Sequence, residues 1–472
     1  MPEALLWAPQ AWIEGGWKNA VLLRADAGGR WAEITPGVAQ APPGAQVLAG
    51  PVLPGLVNGH SHAFQRAFAG LAERRLPVQH GARDDFWSWR DRMYGVALRV
   101  TPAQLRAIAA QLDLELLCGG YTQVCEFHYL HHDAAGKPYD DPFALSWALC
   151  DAAADTGIGL TLLPVLYERA GFTEAGLRPD QRRFSSTPAF VRSLCQAVAA
   201  AHRPLLDAGV AIHSLRAAAP ASIAALLRGL EVDGHTGPVH IHVAEQAREV
   251  SDCQAATGAR PIEWLCRELQ PDARWQLVHA THATAAEIAA VAEAGAGVVF
   301  CPSTEANLGD GLADLPRWLA AGVPLCVGSD SQVTRSWGQE LRWLEYGQRL
   351  LRQERNVAAG GAAAGPGSLA TAARLFAAAS TGGGRAAGQA RWGLVIGARA
   401  DALVLDLEAT GLRGVPPSYL LDALVFASDT PALRDVFVAG ACVINAGHHA
   451  RAAAISAGFV AAMAALWHDP AP

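Results

Sequence analysis

Four positions far apart in the chain carry side chains that could share one cation: His60, His62, His242 and Asp330. His60 and His62 close the stretch VLPGLVNGHSH, residues 52 to 62, whose apolar start reads as a buried strand. Side chains at i and i+2 of a strand face the same way, so both imidazoles can grip one ion. His242 lies in VHIHVAEQ and Asp330 in PLCVGSDSQ, each at the end of another apolar run. Three imidazoles and one carboxylate suit zinc, one ion per chain, with a further position for water. Water beside such an ion becomes a nucleophile near neutral pH.

Two more residues sit where that water could be worked on. Glu245, three residues past His242, can face the water without ligating the metal and carry a proton to a leaving nitrogen. His279, at the end of WQLVHATHA, is placed to polarise or deprotonate the water, and Asp330 can accept its proton as well as bind the metal. A lysine that could be carbamylated to bridge two ions is missing from VAIHSLRAA (210 to 218), which carries His213 and Arg216 instead. One metal is therefore expected. His240 shares the facing of His242 but lies deeper in its strand, and His128, His131 and His132 fall in a loop; all four read as packing or support.

These residues need a scaffold that brings strand ends together. Eight apolar strands are read at 52–58, 121–128, 159–166, 210–215, 238–243, 274–280, 297–301 and 323–329. Helix-compatible stretches follow them, such as 101–117, 187–202 and 284–295. Thr101-Pro102 and Thr187-Pro188 are start signals, and Gly295 is a stop. Eight βα units predict an α/β protein, a (β/α)8 barrel closed on itself, with chemistry at the C-terminal ends of its strands. An open doubly wound sheet is disfavoured, because no GxGxxG follows the first strand.

Both chain ends look β-rich. Alternation at Ala11, Ile13, Ala20 and Leu22, with turns at Gly15-Gly16 and Gly28-Gly29, predicts a small sheet, and 402–407 and 436–444 have the same character. The ends are expected to meet in one β-sandwich of residues 1–51 and 391–455. The barrel takes 52–390, and a C-terminal helix or tail takes 456–472. Two low-complexity patches, 357–367 and 381–388, read as flexible loops.

Composition narrows the class. The chain has 472 residues, 51% hydrophobic and 17% charged, which favours a large core over disorder. A formal net charge of −7 without a basic block argues against nucleic-acid binding. Nine cysteines with no CxxC pair suggest a reducing compartment, with Cys118, Cys125, Cys301 and Cys326 as buried small hydrophobes. The N-terminus lacks the pattern of a signal peptide, and no apolar run is long enough to cross a bilayer. A cytoplasmic enzyme with a small-molecule substrate is the expectation.

The VLPGLVNGHSH entry, HVAE on strand 5, the histidine on strand 6 and GSDS on strand 8 resemble the amidohydrolase superfamily, in its mononuclear deaminase branch. The resemblance spans nearly the whole chain. Within the branch, HAFQRAFAGLAE (62 to 73), DDFWSWRDRMY (84 to 94), YTQVCEFHYLHHD (121 to 133) and HSLRA (213 to 217) are similar to the formimidoylglutamate deiminase family. That likeness implies hydrolysis of N-formimidoyl-L-glutamate to N-formyl-L-glutamate and ammonia, in histidine degradation, and a homodimer. It also implies substrate contacts from Gln65, Arg90, Tyr129, His213 and Arg216. Two arginines match a substrate with two carboxylates. The chain departs from the family pattern at RRLPVQHGARDD (74 to 85), which is longer and more basic than usual. A deaminase of guanine or of an adenosine derivative is the alternative within the same branch.

Overall fold

The computed structural model describes residues 3–74, 84–360 and 369–468. Eight parallel strands follow one another in chain order: Leu56–Ser61, Tyr121–His128, Gly159–Leu166, Val210–Ser214, Val239–Val243, Trp275–His279, Gly297–Phe300 and Leu325–Val327. The last meets the first where Ser61 and Asp330 bridge in parallel. The expected barrel is therefore present. Helices cover its outside, and all strand residues except His213 are buried. Burial on both faces is why these strands read as unbroken apolar runs rather than alternating ones.

The helix signals are realised locally. Thr101 accepts a hydrogen bond from the Gln104 backbone at the start of Pro102–Cys118, and Thr187 does the same for Phe190 at Pro188–Ala200. Gly295, at φ +68°, ends Ala285–Ala294 in the left-handed conformation that glycine adopts without strain.

A second sheet unites the two ends of the chain. Its order is Ala441–Ile444, Leu433–Val438, Ala402–Leu405, Val52–Pro54, Ala4–Ile13, Gly16–Ala25 and Trp31–Thr35, with Gln46–Val47 beside Ala4–Ile13. Leu6, Ala8, Val21, Leu23, Trp31 and Phe437 belong to its own core. Arg399 fastens this unit to the barrel. It pairs with Asp401 at 2.6 Å and donates to Gln123 Oε1 and the Thr122 carbonyl on the second barrel strand.

Several expectations change on contact with the structure. Val52–Pro54 pairs with Ala402–Leu405, so the chain passes from sheet to barrel at Gly55 and not at residue 52. The second strand buries Val21, Leu23 and Ala25, the opposite phase to Ala20 and Leu22, since pairing with the first strand sets which face meets the core. Cys118 is exposed at the end of its helix. The C-terminal helix runs Ala452–Trp467, starting before residue 456. The 74–85 stretch and the 357–367 patch lie largely outside the described residues.

The largest correction concerns 381–388. It is no loop: it ends the helix Thr371–Ala386, which lies across the N-terminal floor of the barrel. A Cβ on Gly382 would overlap the Leu325 backbone, and one on Gly383 would press on Val57. Glycine was a packing device here. Its absent side chain lets the helix backbone approach the strands. Gly382→Ala is expected to lose about 1–2 kcal/mol of stability, the overlap outweighing the gain in helix propensity. A lower urea midpoint with unchanged slope is the check.

Candidate metal centre and substrate cleft

The C-terminal mouth of the barrel is where the predicted residues gather. Asp330 donates its backbone N–H to the His60 carbonyl at 3.0 Å, and His62 donates to the Asp330 carbonyl at 3.3 Å. These two bonds close the barrel and seat the carboxylate beside both histidines. His279 (φ +68°) and Asp330 (φ +44°) turn sharply at their strand ends in the left-handed region. Non-glycine residues held there cost of order 1–3 kcal/mol each, a load typical of functional sites.

Four nitrogens and a carboxylate converge. His60 Nε2 lies 3.2 Å from His62 Nε2 and 3.0 Å from His242 Nε2. Asp330 Oδ1 is 3.5 Å from His60 Nε2 and 3.4 Å from His62 Nε2. Asp330 Oδ2 is 3.8 Å from His279 Nε2. Ligands at 2.0–2.1 Å around a tetrahedral ion stand roughly 3.3 Å apart, so these spacings fit one small cation.

The tautomers agree with that fit. A carbonyl can only accept, so His62 Nδ1 donates to Phe127 O and His242 Nδ1 donates to His213 O, both at 2.9 Å. Each Nε2 is then a bare lone pair facing the others. Burial pulls His60 down to about 3 and lowers His62 and His242, keeping all three neutral, the form that binds metal. Neutral lone pairs this close repel unless a cation lies among them.

His279 and Glu245 stand beside this group. Burial opposes a charge on His279, but Glu245, Glu305 and Asp330 outweigh it and raise the imidazole to about 10. Its Nδ1 donates to Glu305 Oε1 at 3.3 Å, and its Nε2 is 3.7 Å from Glu245 Oε1. Burial pushes the Glu245 carboxyl up to about 7, near the operating range of a proton carrier. Glu249 holds this corner by accepting from the Ala244 and Glu245 backbone N–H groups.

The substrate candidates line the same cleft as His62, His242, Glu245, His279 and Asp330, around about 510 Å³ of space open at its mouth. Gln65 donates to Tyr129 Oη at 3.1 Å. His213 lies on the wall, its carbonyl committed to His242. Arg216 is 8% exposed, its Nη1 buried without a hydrogen-bond partner. Arg90 lies against Trp87 and Tyr94, its guanidinium carbon 4.7 and 5.4 Å from their rings. Both arginines line the cleft.

Several supporting residues were missed. Glu305 lies just beyond strand 7, and a strand-end position was its only signal. Asn58, Ser329 and Gln332 cross-link the closing strands: Asn58 Nδ2 donates to Ser329 Oγ at 2.7 Å and Gln332 Nε2 to Ser61 Oγ at 3.1 Å. Tyr94 and Tyr167 also line the cleft, both receiving N–H groups from Gln181. His240 donates to Ala386 O at the barrel floor, away from the ion site. His128 proves to end the second barrel strand and is not in a loop; its ring lies edge-on to that of His131, which contacts Val165 O at 3.2 Å. Among the described residues, the groupings spaced for an ion are all built from His60, His62, His242, His279, Cys301 and Asp330.

A profile of the Amidohydrolase family matches residues 52–443. Formimidoylglutamate deiminase of Pseudomonas aeruginosa is 46% identical over 447 residues, covering 94% of this chain and 95% of that one. A 5-methylthioadenosine/S-adenosylhomocysteine deaminase of Natronomonas pharaonis is 27% identical, covering 84% of this chain and 81% of that one. The crystal structure of an amidohydrolase from Brucella melitensis superposes with a TM-score of 0.90 at 40% identity, covering 98% of this chain and 99% of that one.

One divalent ion per chain is expected in purified protein. His242→Ala should lower occupancy to less than about half, since removing one imidazole from a structural ligand set weakens binding strongly. Elemental analysis by mass spectrometry is the measurement.

Proposed function

The chain belongs to the amidohydrolase family, and from that membership we propose that it hydrolyses N-formimidoyl-L-glutamate to N-formyl-L-glutamate and ammonia, a step of histidine degradation. The observation that carries the substrate is Arg216: a buried guanidinium with an unpartnered nitrogen, in the same cleft as the histidine and carboxylate cluster. A buried guanidinium nitrogen without a hydrogen-bond partner is costly, and a carboxylate of the substrate would satisfy it. The 46% identity to a formimidoylglutamate deiminase supports the same reading.

His60, His62, His242 and Asp330 would hold the ion, which we take to be zinc from its nitrogen-rich donors. A bound ion of this kind supplies Lewis acidity, making water more acidic and the amidine carbon more electrophilic. The remaining work falls to side chains. Glu245 takes a proton from the attacking water, with Asp330 as a second acceptor. His279, held protonated by its three carboxylates, donates a hydrogen bond to the incoming oxygen. The C–O bond forms, and the carbon becomes tetrahedral. Glu245 then returns its proton to the terminal nitrogen of the amidinium, the hydroxyl proton passes to Asp330 as the C=O bond forms, the C–N bond breaks, and ammonia leaves. Arg90 and Arg216 hold the two carboxylates, with Gln65, Tyr129 and His213 lining the path between.

The free cysteines accord with a cytoplasmic protein, and we extend the proposal to a homodimer, to be read by light scattering. Among the described residues no helix is long and apolar enough to cross a membrane.

Purified protein should release ammonia from formimidoylglutamate and not from guanine or 5′-methylthioadenosine; the opposite pattern would establish the nucleobase alternative. Glu245→Gln should cut kcat by roughly 10²-fold or more while the metal stays bound. Arg216→Met should act chiefly on KM, if it grips a carboxylate equally in the ground and transition states. Loss of metal in the first variant, or an unchanged KM in the second, would reverse these roles.

A further inference from the structure

A second, larger cavity opens on the solvent side of the cleft, and Arg90 and Arg216 form part of both walls. Trp87 stands in it with three guanidinium groups around its indole. The carbon atoms of Arg90, Arg216 and Arg248 lie 4.7, 5.3 and 4.9 Å from the ring centre. Cation–π attraction holds each of them to the ring, but the three charges repel one another. The acids nearby do not cancel this evenly. Arg178 is committed to Asp180 at 2.6 Å and Asp91 at 3.1 Å, and Arg90 shares Asp91 at 3.3 Å. Arg248 meets Asp252 only at 3.6 Å and is 67% exposed. Arg216 has no ion pair among the described residues, although Glu174 and Asp252 also border the cavity.

We propose that this outer cavity is a capture site for carboxylates, in which Arg248 on the Trp87 face takes an acidic ligand from solvent and passes it to Arg90 and Arg216. The inference rests on the dicarboxylic substrate argued above. Its physical necessity comes from the rest of the molecule. The chain carries a formal net charge of −7, which repels a dianion at long range. A cationic mouth reverses the field along one path. Arg248 suits the first contact because its side chain is mostly exposed to solvent, whereas Arg216 is buried. Trp87 provides a common platform, so a carboxylate can exchange one guanidinium for the next without returning to water.

Arg248→Gln is the test, read in two ways. The first is kcat/KM for formimidoylglutamate as ionic strength rises from about 20 to about 300 mM. The variant should be roughly fivefold lower at low salt, with the loss in KM, and should converge on the wild type as salt screens the field. Arg248→Lys should restore most of the loss, since the charge is what steers. The second is the Kd of glutarate by titration calorimetry, expected to weaken in parallel. A loss equal at all salt concentrations, a loss in kcat, or no change in either readout would overturn the capture role. The two hypotheses separate cleanly. A wild type that binds glutarate through Arg248 yet releases no ammonia refutes the substrate, and a wild type that turns over with Arg248 irrelevant refutes the capture site.

Discussion

Two backbone hydrogen bonds, Asp330 N–H to His60 O and His62 N–H to Asp330 O, join the eighth strand to the first. The site depends on that seam. Without it the barrel would be an open curved sheet, and the carboxylate would stand away from the histidines. Asn58, Ser329 and Gln332 reinforce it with buried side-chain hydrogen bonds. Fixing the seam fixes the ligand spacing, because His60, His62 and Asp330 are its own residues. Gly328, packed against the His60 backbone, and the helix of 371–386 beneath complete the constraint.

Burial does the electrostatic work. It holds His60, His62 and His242 neutral, so their lone pairs are available, and it raises Glu245 into the range where it can both accept and return a proton. His279 is the exception, charged in spite of burial because three carboxylates surround it. Neighbours of similar type thus differ in charge: three neutral imidazoles, one imidazolium, and one carboxyl group raised by burial. Each charge state follows from what the side chain faces, not from what it is.

The cleft shows the same economy in its charges. A protein negative overall presents arginines around one tryptophan at the mouth of one cavity. Aromatic rings from the Phe86–Ala97 helix support them, and Tyr94 and Tyr167 share the amide of Gln181 along the wall. The cleft thus sets two guanidinium groups on the same lining as the histidine and carboxylate cluster.

Much of this was readable in the amino-acid order alone. Alternating apolar strands and capped helices determine the barrel, because burial on both faces and threonine caps are local demands. His60 and His62 could be paired from their spacing, since period two is a property of any strand. His242, His279 and Asp330 could be assigned to the mouth because strand ends in such barrels converge there. Other features were decided by tertiary structure. The glycine run at 381–388 resembles a loop in composition, and only the strand backbones above Gly382 make it a helix. The buried phase of Gly16–Ala25 follows from its pairing with Ala4–Ile13, and the crossing at Gly55 from the pairing of Val52–Pro54 with Ala402–Leu405. Glu305 offers little beyond a strand-end position, because its partner His279 is distant in sequence, and Trp87 meets Arg216 and Arg248 only in the folded chain. Side-chain type and spacing are written in the chain; which of those side chains share a charge, a proton or a ring is set only when the barrel closes.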